Sequence, residues 1–400
     1  MVANFPDSRT PFRIHLFTPE ARLENESSIL TSLLAAGLDM LHIRKPSLDA
    51  AMIKSLIEEI PERFRKRIVI HSHPDLASEL GTGVQINSRC SLPAQPLHTI
   101  SKSCHSIEEV EMAQNLSFVT LSPVFDSISK TGYKSRFTRE SLSKASLGKA
   151  VALGGITLEN LTEVEKLGFG GAALLGDIWN RQNGVYSLLK YLRMRNFPLQ
   201  FITDAPDVSS TTAQAARALQ GGCRWIQVRM KNAPAEDVAD ALRHILPLCE
   251  EKGATLIVDD YVELAGLCHG VHLGQNDTSV AEARRAFSPD KIIGLTVNNE
   301  RHIRESRSSL PDYYGVGPLR FTSTKKNLSP VLGMEGYRRL APGIRRPFVA
   351  IGGVISSDIP DLVDAGASGI AVSSVINRSP SPETATKELM NILSHTLNNI

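Results

Sequence analysis

Short apolar runs alternate along the chain with longer stretches in which apolar residues recur every three or four positions. In the first half the runs are Phe12–Phe17, Met40–Arg44, Arg67–Ser72, Gly83–Asn87, Thr99–Cys104, Phe118–Pro123, Ala150–Gly155 and Gly171–Gly176. Helix-period stretches such as Ser47–Ile60 and Leu158–Leu167 fill the gaps. Strands alternating with helices predict a parallel α/β protein. Eight such units fit a (β/α)8 barrel, at the small end of that fold's range. The segment Arg181–Pro198 reads as a helix and link with no strand, so the predicted domains are 1–196 and 197–400. The alternation then restarts: Leu199–Asp204, Trp225–Met230, Thr255–Asp260, Val271–Gly274, Ile292–Val297, Tyr313–Gly317, Phe348–Gly353 and Gly369–Ser374. The predicted fold is α/β, two tandem (β/α)8 barrels.

The halves repeat in sequence as well as in pattern. Ala36-Gly-Leu-Asp-Met-Leu-His-Ile-Arg-Lys45 answers Gly221-Gly-Cys-Arg-Trp-Ile-Gln-Val-Arg-Met230. Ser122-Pro-Val-Phe-Asp-Ser-Ile-Ser-Lys130 answers Gly317-Pro-Leu-Arg-Phe-Thr-Ser-Thr-Lys325, and Ala152-Leu-Gly-Gly155 answers Ala350-Ile-Gly-Gly353. Two unrelated α/β domains would not reproduce these motifs at matching strand ends, so a duplicated barrel is expected.

Composition adds bounds. Four hundred residues suit two domains of about 200. A net charge of +2 makes no electrostatic case for nucleic acid or a membrane surface. No apolar run approaches the roughly 18 residues of a membrane span, and the first ten residues lack a signal-peptide core. The five cysteines form no CxxC pair and read as reduced core residues of a cytoplasmic protein.

In such a barrel the site lies where strands end. The second half places Gln227, Arg229 and Lys231 at one strand end, and period-two alternation points them to one side. Buried cations are costly without an anion. The next strands end in Asp259-Asp260, in His272-Leu-Gly-Gln-Asn-Asp277 and in Thr296. Then comes a loop of hydroxyls and lysines, Thr322-Ser-Thr-Lys-Lys326, then Gly352-Gly353 and Ser373-Ser374. Hydroxyls, ammonium groups and small residues make a good anion holder. Carboxylates at neighbouring strand ends suit Mg²⁺ bound together with a diphosphate. Taken singly, Asp259-Asp260 also reads as a helix cap, Gly352-Gly353 as a helix-entry turn and the lysine loop as a solvated turn.

Together, Ile-Gln-Val-Arg-Met-Lys, Ile-Val-Asp-Asp-Tyr-Val-Glu-Leu-Ala, Gly-Val-His-Leu-Gly-Gln-Asn-Asp, Gly-Val-Gly-Pro-x-x-x-Thr-x-Thr-Lys-Lys and Val-Ala-Ile-Gly-Gly resemble thiamine phosphate synthase, in the right order from about Leu199 to Asn377. The resemblance implies a (β/α)8 transferase. It joins a hydroxymethylpyrimidine diphosphate to a hydroxyethylthiazole phosphate through a dissociative loss of pyrophosphate. It further implies that Gln227, Arg229 and Lys231 hold the pyrimidine diphosphate, that Asp260 and Asp277 hold Mg²⁺, and that Thr296 and Lys325 contact pyrophosphate. Thr322, Thr324, Gly353, Ser373 and Ser374 would hold the thiazole phosphate, and Arg229, Lys231 and Lys325 would carry the catalysis. Asp259 is counted with the substrate-binding residues, but the family usually has Asn there, so the carboxylate either adds a metal contact or replaces an amide hydrogen bond.

The matching positions of the first half are His42, Arg44 and Pro46, with Ser72 for Asp260 and Cys90 opposite Asp277. Both metal carboxylates are missing. Ser127, Ser129, Lys130 and Gly155 keep an expected phosphate grip, and His42, His71, His73 and His105 lie at or just past strand ends. Four imidazoles around one mouth suggest proton handling or anion binding. His42-Ile-Arg44 and Cys104-His-Ser-Ile-Glu-Glu109 resemble the TenI group, some of whose members tautomerise a thiazole phosphate. The histidine that group uses corresponds here to Pro123. The expectation is therefore either a tautomerase or a non-catalytic barrel. A sugar-phosphate isomerase or epimerase is the competing reading for the whole chain. It would share the Gly-Gly turn but would not need Gln227, Arg229, Lys231, Asp260 and Asp277 together. The expected partners are small molecules only, with no nucleic acid and no membrane.

Overall fold

A computed structural model describes residues 12–87, 97–113, 115–126, 135, 137–195, 198–308, 311–321 and 330–397. The chain divides into two compact units, 1–189 and 190–400. Residues from Lys190 onward join the second unit partly through two half-buried ion pairs, Lys190–Asp312 at 3.2 Å and Arg193–Asp290 at 2.9 Å.

The first unit is a closed barrel of eight parallel strands in chain order. The strands are β1 (Arg13–Phe17), β2 (Met40–Ile43), β3 (Ile68–His71), β4 (Gly83–Ile86), β5 (Ile100–Cys104), β6 (Phe118–Leu121), β7 (Ala150–Ala152) and β8 (Gly171–Leu174). The second unit closes in the same way. It uses β9 (Leu199–Ile202), β10 (Trp225–Val228), β11 (Thr255–Asp259), β12 (Gly270–Leu273), β13 (Ile292–Val297), β14 (Tyr313–Val316), β15 (Phe348–Ile351) and β16 (Gly369–Val372). The fold is thus two tandem (β/α)8 barrels, as the alternation predicts.

The helices begin where side chains cap them. Asp49 accepts from Met52 N, Asp207 from Ser210 N, and Ser279 with Glu282 forms a reciprocal capping box. Apolar faces of helices and outward residues of strands make one core layer around the second barrel, including Ile226, Val228, Leu242, Ile245 and Tyr337. Inside it, Trp225, Ile257, Ile292, Tyr313, Val349 and Ala371 fill the lower interior. That interior is packed, so chemistry is confined to the upper rim.

Strand ends are fixed alike in both units. The Thr18 hydroxyl accepts from Arg44 N at 3.0 Å, and the Thr203 hydroxyl accepts from Arg229 N at 2.9 Å. The four described cysteines, Cys104, Cys223, Cys249 and Cys268, are unpaired and buried; Cys90 lies outside the described residues. Among the described residues, no helix is long and apolar enough to cross a membrane.

Candidate functional site

The rim of the second barrel is organised by Asp259, the last residue of β11. Its carboxylate accepts from Gln227 Nε2 at 2.6 Å and pairs with Arg229 Nε at 3.0 Å. Asp259 and Gln227 are buried, and Arg229 is half-buried. Register explains the meeting. Gln227 pairs with Ile257 across β10 and β11, so Asp259, two residues further on, faces the same side one step up. The carboxylate is therefore a clamp between two side chains. Lys231 lies exposed beyond the strand end.

Asp260 follows with φ 68°, a left-handed backbone unusual outside glycine. The residue is exposed at the rim. Asp277 is also exposed, and its Oδ2 accepts from Gly274 N at 2.6 Å, closing the loop after β12. These two carboxylates offer hard oxygen donors from adjacent strand ends. Among the described residues no group of three or more His, Cys, Asp or Glu is placed to cage a metal. Two exposed carboxylates are the number that a Mg²⁺-type ion commonly takes from protein when phosphate oxygens and water complete its shell.

Thr296 Oγ1 lies 2.9 Å from His272 Nε2, while His272 Nδ1 lies 2.9 Å from the Tyr313 hydroxyl. Both histidine nitrogens are spent, which orients the Thr296 hydroxyl. His272 and Tyr313 are absent from the predicted site residues. The sequence does place His272 at the end of its strand, but its position opposite Asp259 comes from the β11–β12 register. Burial raises the Tyr313 phenol well above its ordinary range, so it stays a neutral hydrogen-bonding group.

After β15, Gly352 and Gly353 adopt φ 90° and 71°. A Cβ on Gly352 would come within 2.5 Å of Pro318, and one on Gly353 within 2.5 Å of Arg320. Only glycine allows both this turn and this approach. Ser373 and Ser374 open the short helix Ser374–Asn377, and Asn377 Nδ2 donates to Asp204 Oδ1 at 2.6 Å. Arg320, also unpredicted, donates to Gly353 O and makes a two-pronged pair with Asp358 at 2.5 and 2.8 Å, which fixes the turn from outside. Thr322, Thr324 and Lys325 lie outside the described residues.

The first barrel differs. His42 lies in the interior, stacked on Phe17 at 4.3 Å, and not at the rim, because it occupies the inward face of β2. It touches His71 at the end of β3 (3.2 Å) and, unforeseen, His15 on β1 (2.9 Å). His105 is exposed and donates from Nδ1 to Ser122 O at 3.1 Å. His73 directly precedes the helix Pro74–Leu80. Arg44 turns to Glu20 at 2.5 Å. Gly154 and Gly155 repeat the glycine turn with φ 90° and 68°. Just past that turn, Leu158 N donates to the buried Asp177 at 3.0 Å, and the same carboxylate pairs with Arg181 at 3.3 Å. Ser127, Ser129 and Lys130 lie outside the described residues.

Two glycine turns, capped strand ends and an arginine–carboxylate rim define a (β/α)8 protein of the phosphate-handling class. The family model described as "Thiamine monophosphate synthase" matches residues 14–178 and again 199–376, and the chain belongs to that family through both halves. The thiamine-phosphate synthase of Bacteroides fragilis is 46% identical over 201 residues, covering 48% of this chain and 98% of that protein. That of Flavobacterium psychrophilum is 37% identical over 191 residues, covering 46% and 93%. The solved thiamine phosphate pyrophosphorylase from Pyrococcus furiosus is 30% identical with a TM-score of 0.46, covering 50% of this chain and 98% of that one. Each relative spans about half of this chain.

Proposed function

We propose that the second barrel is the thiamine phosphate synthase of this chain, a Mg²⁺-dependent transferase acting in the cytoplasm. It condenses hydroxymethylpyrimidine diphosphate with hydroxyethylthiazole phosphate and releases pyrophosphate. One observation carries the assignment to this half. Among the described residues, only here does an arginine held by a buried carboxylate occur with further carboxylates at the neighbouring strand ends. The first half has Ser72 in place of Asp260.

The barrier lies in separating charge as the diphosphate leaves, so groups already aimed at the departing oxygens do most of the work. Arg229 has Nε committed to Asp259, which leaves its two terminal nitrogens as a planar fork for phosphate oxygens. Gln227 donates its amide to Asp259, which leaves its carbonyl for an amino group on the pyrimidine. Thr296, oriented by His272, adds a hydroxyl, with Lys231 and Lys325 supplying charge. Asp260 and Asp277 would hold the Mg²⁺, which neutralises developing negative charge when bound. Gly353, Ser373 and Ser374 would hold the thiazole phosphate through backbone and hydroxyl donors. The attacking ring nitrogen needs no general base. A sugar-phosphate isomerase would have no use for the Gln227–Asp259–Arg229 clamp.

The test is pyrophosphate release by the whole protein with both precursors, with and without Mg²⁺. Asp260→Ala and Asp277→Ala are each expected to lower turnover at least about a hundredfold, in line with the loss of transition-state charge stabilisation. Release that needs neither precursor pairing nor these carboxylates would overturn the reading.

A further inference from the structure

The interior of the first barrel holds a chain of three imidazoles that the synthase reaction does not use. His15, His42 and His71 stand on consecutive strands, linked Nδ1 to Nε2 at 2.9 Å and Nδ1 to Nε2 at 3.2 Å. Both nitrogens of His42 are spent, so each link holds one shared proton and the three rings must be protonated in the same sense. Phe17 stacks on His42, and Phe118 presents its edge to His15 and His42. The charged groups acting on the chain are Arg13 beside His15 and Arg44 beside His71, both cationic. Gln85 from β4 also reaches His42. Burial first, and these cations second, push His15 and His71 down to about 3. Burial likewise holds His42 well below the ordinary value. All three rings are neutral at physiological pH.

The direction of the chain follows from its sealed end. His15 Nε2 is buried and has no hydrogen-bond partner. An orphaned buried N–H is rarer and costlier than an orphaned lone pair. The protons therefore sit on Nδ1 of His15, Nδ1 of His42 and Nδ1 of His71. His71 Nε2 receives the last internal bond. Its Nδ1–H is left over on a partly exposed ring at the end of β3. The chain cannot conduct, because no proton source lies behind His15; losing a proton at His71 would strand an imidazolate among phenylalanines.

We propose that the first barrel is a binding site built on this fixed donor, with His15 and His42 positioning the Nδ1–H of His71. Its ligand offers a neutral sp² acceptor to that atom, a carbonyl oxygen or a ring nitrogen. The ring brings no positive charge, so a free phosphate gains no ion pair from it. This inference is independent of the synthase assignment, which concerns the other barrel.

The test is nitrogen-15 NMR of the full-length protein with labelled histidine. Three rings are expected to stay neutral from about pH 8 to pH 5, with His71 in the Nδ1–H form. Inorganic phosphate at millimolar concentration is expected to leave the His71 signals in place. His42→Phe keeps an aromatic ring and removes the internal donor, so His71 should gain Nε2–H population. A His71 that is Nε2–H in the unmodified protein, that titrates in this range, or that phosphate converts to imidazolium would overturn the proposal. So would a tautomer balance that His42→Phe leaves unchanged in folded protein.

Discussion

Laid on one another by strand register, the two barrels exchange residues position by position. His15, His42 and His71 of the first occupy the places of Gln200, Gln227 and Asp259 of the second. Gln85 takes the place of His272, and Phe118 that of Tyr313. Ser72 and Asp260 share the same unusual backbone, with φ 65° and 68°. The frame is kept, down to the threonine clamp on each arginine, while the interior chemistry is rewritten. One anionic residue, Asp259, draws Gln227 and Arg229 into a charged rim. Replaced by imidazole, it leaves a neutral column, and Arg44 turns instead to Glu20. A rim's charge is thus set by one or two inward positions.

Acidification should part the two units most strongly. The depressed histidines bind protons only when the chain unfolds. Stability of the first unit is therefore full above about pH 6.5 and falls as pH drops toward about 3. With three protons taken up on unfolding, the slope approaches about 4 kcal/mol per pH unit. Hydrogen exchange followed by unit should find the first barrel opening at a higher pH than the second; equal acid profiles would break the comparison.

Lys45 and Glu26 form a fully buried ion pair at 2.6 Å, where the second barrel has Met230 and Thr211. Lys45→Met alone strands a charge and should cost about 3–5 kcal/mol. The double change to Met and Thr, matching the second barrel, should recover most of that loss in denaturant unfolding.

Arg229→Ala should lower pyrophosphate release about 10²–10³-fold, the loss expected for one preorganised donor. Asp259→Asn is the finest probe. It keeps an acceptor for Gln227 and removes the charge that holds Arg229, so kcat/KM should fall about tenfold or less. A rise would mean that the carboxylate restrains Arg229 more than it positions it.

Much of this was legible in the chain itself. Alternation gave sixteen strands, since a strand buried on both faces must be a short apolar run. The repeated motifs gave the duplication, and Gly352-Gly353 gave a turn that no other residue can make. The imidazole pocket was only half legible. His42 and His71 were visible at their strands, but His15 was not, because one histidine in an apolar strand carries no sign of its neighbours. His105 looked like a fourth member, yet its recorded partner is Ser122 O. Asp259 read as a substrate-binding position whose departure from Asn had no assigned consequence, and only the β10–β11 register made it the clamp.

The amino-acid order by itself determined the barrels, their number and the side chains offered at each strand end, because these depend on local periodicity and backbone preference. Which of those side chains meet was decided by closure of the sheet. Neighbouring and next-but-one strands bring together residues 27 to 41 positions apart, as in His15–His42, Gln227–Asp259 and His272–Tyr313. Protonation state and ion pairing follow from that proximity and from burial, and neither is a property of any single stretch of chain.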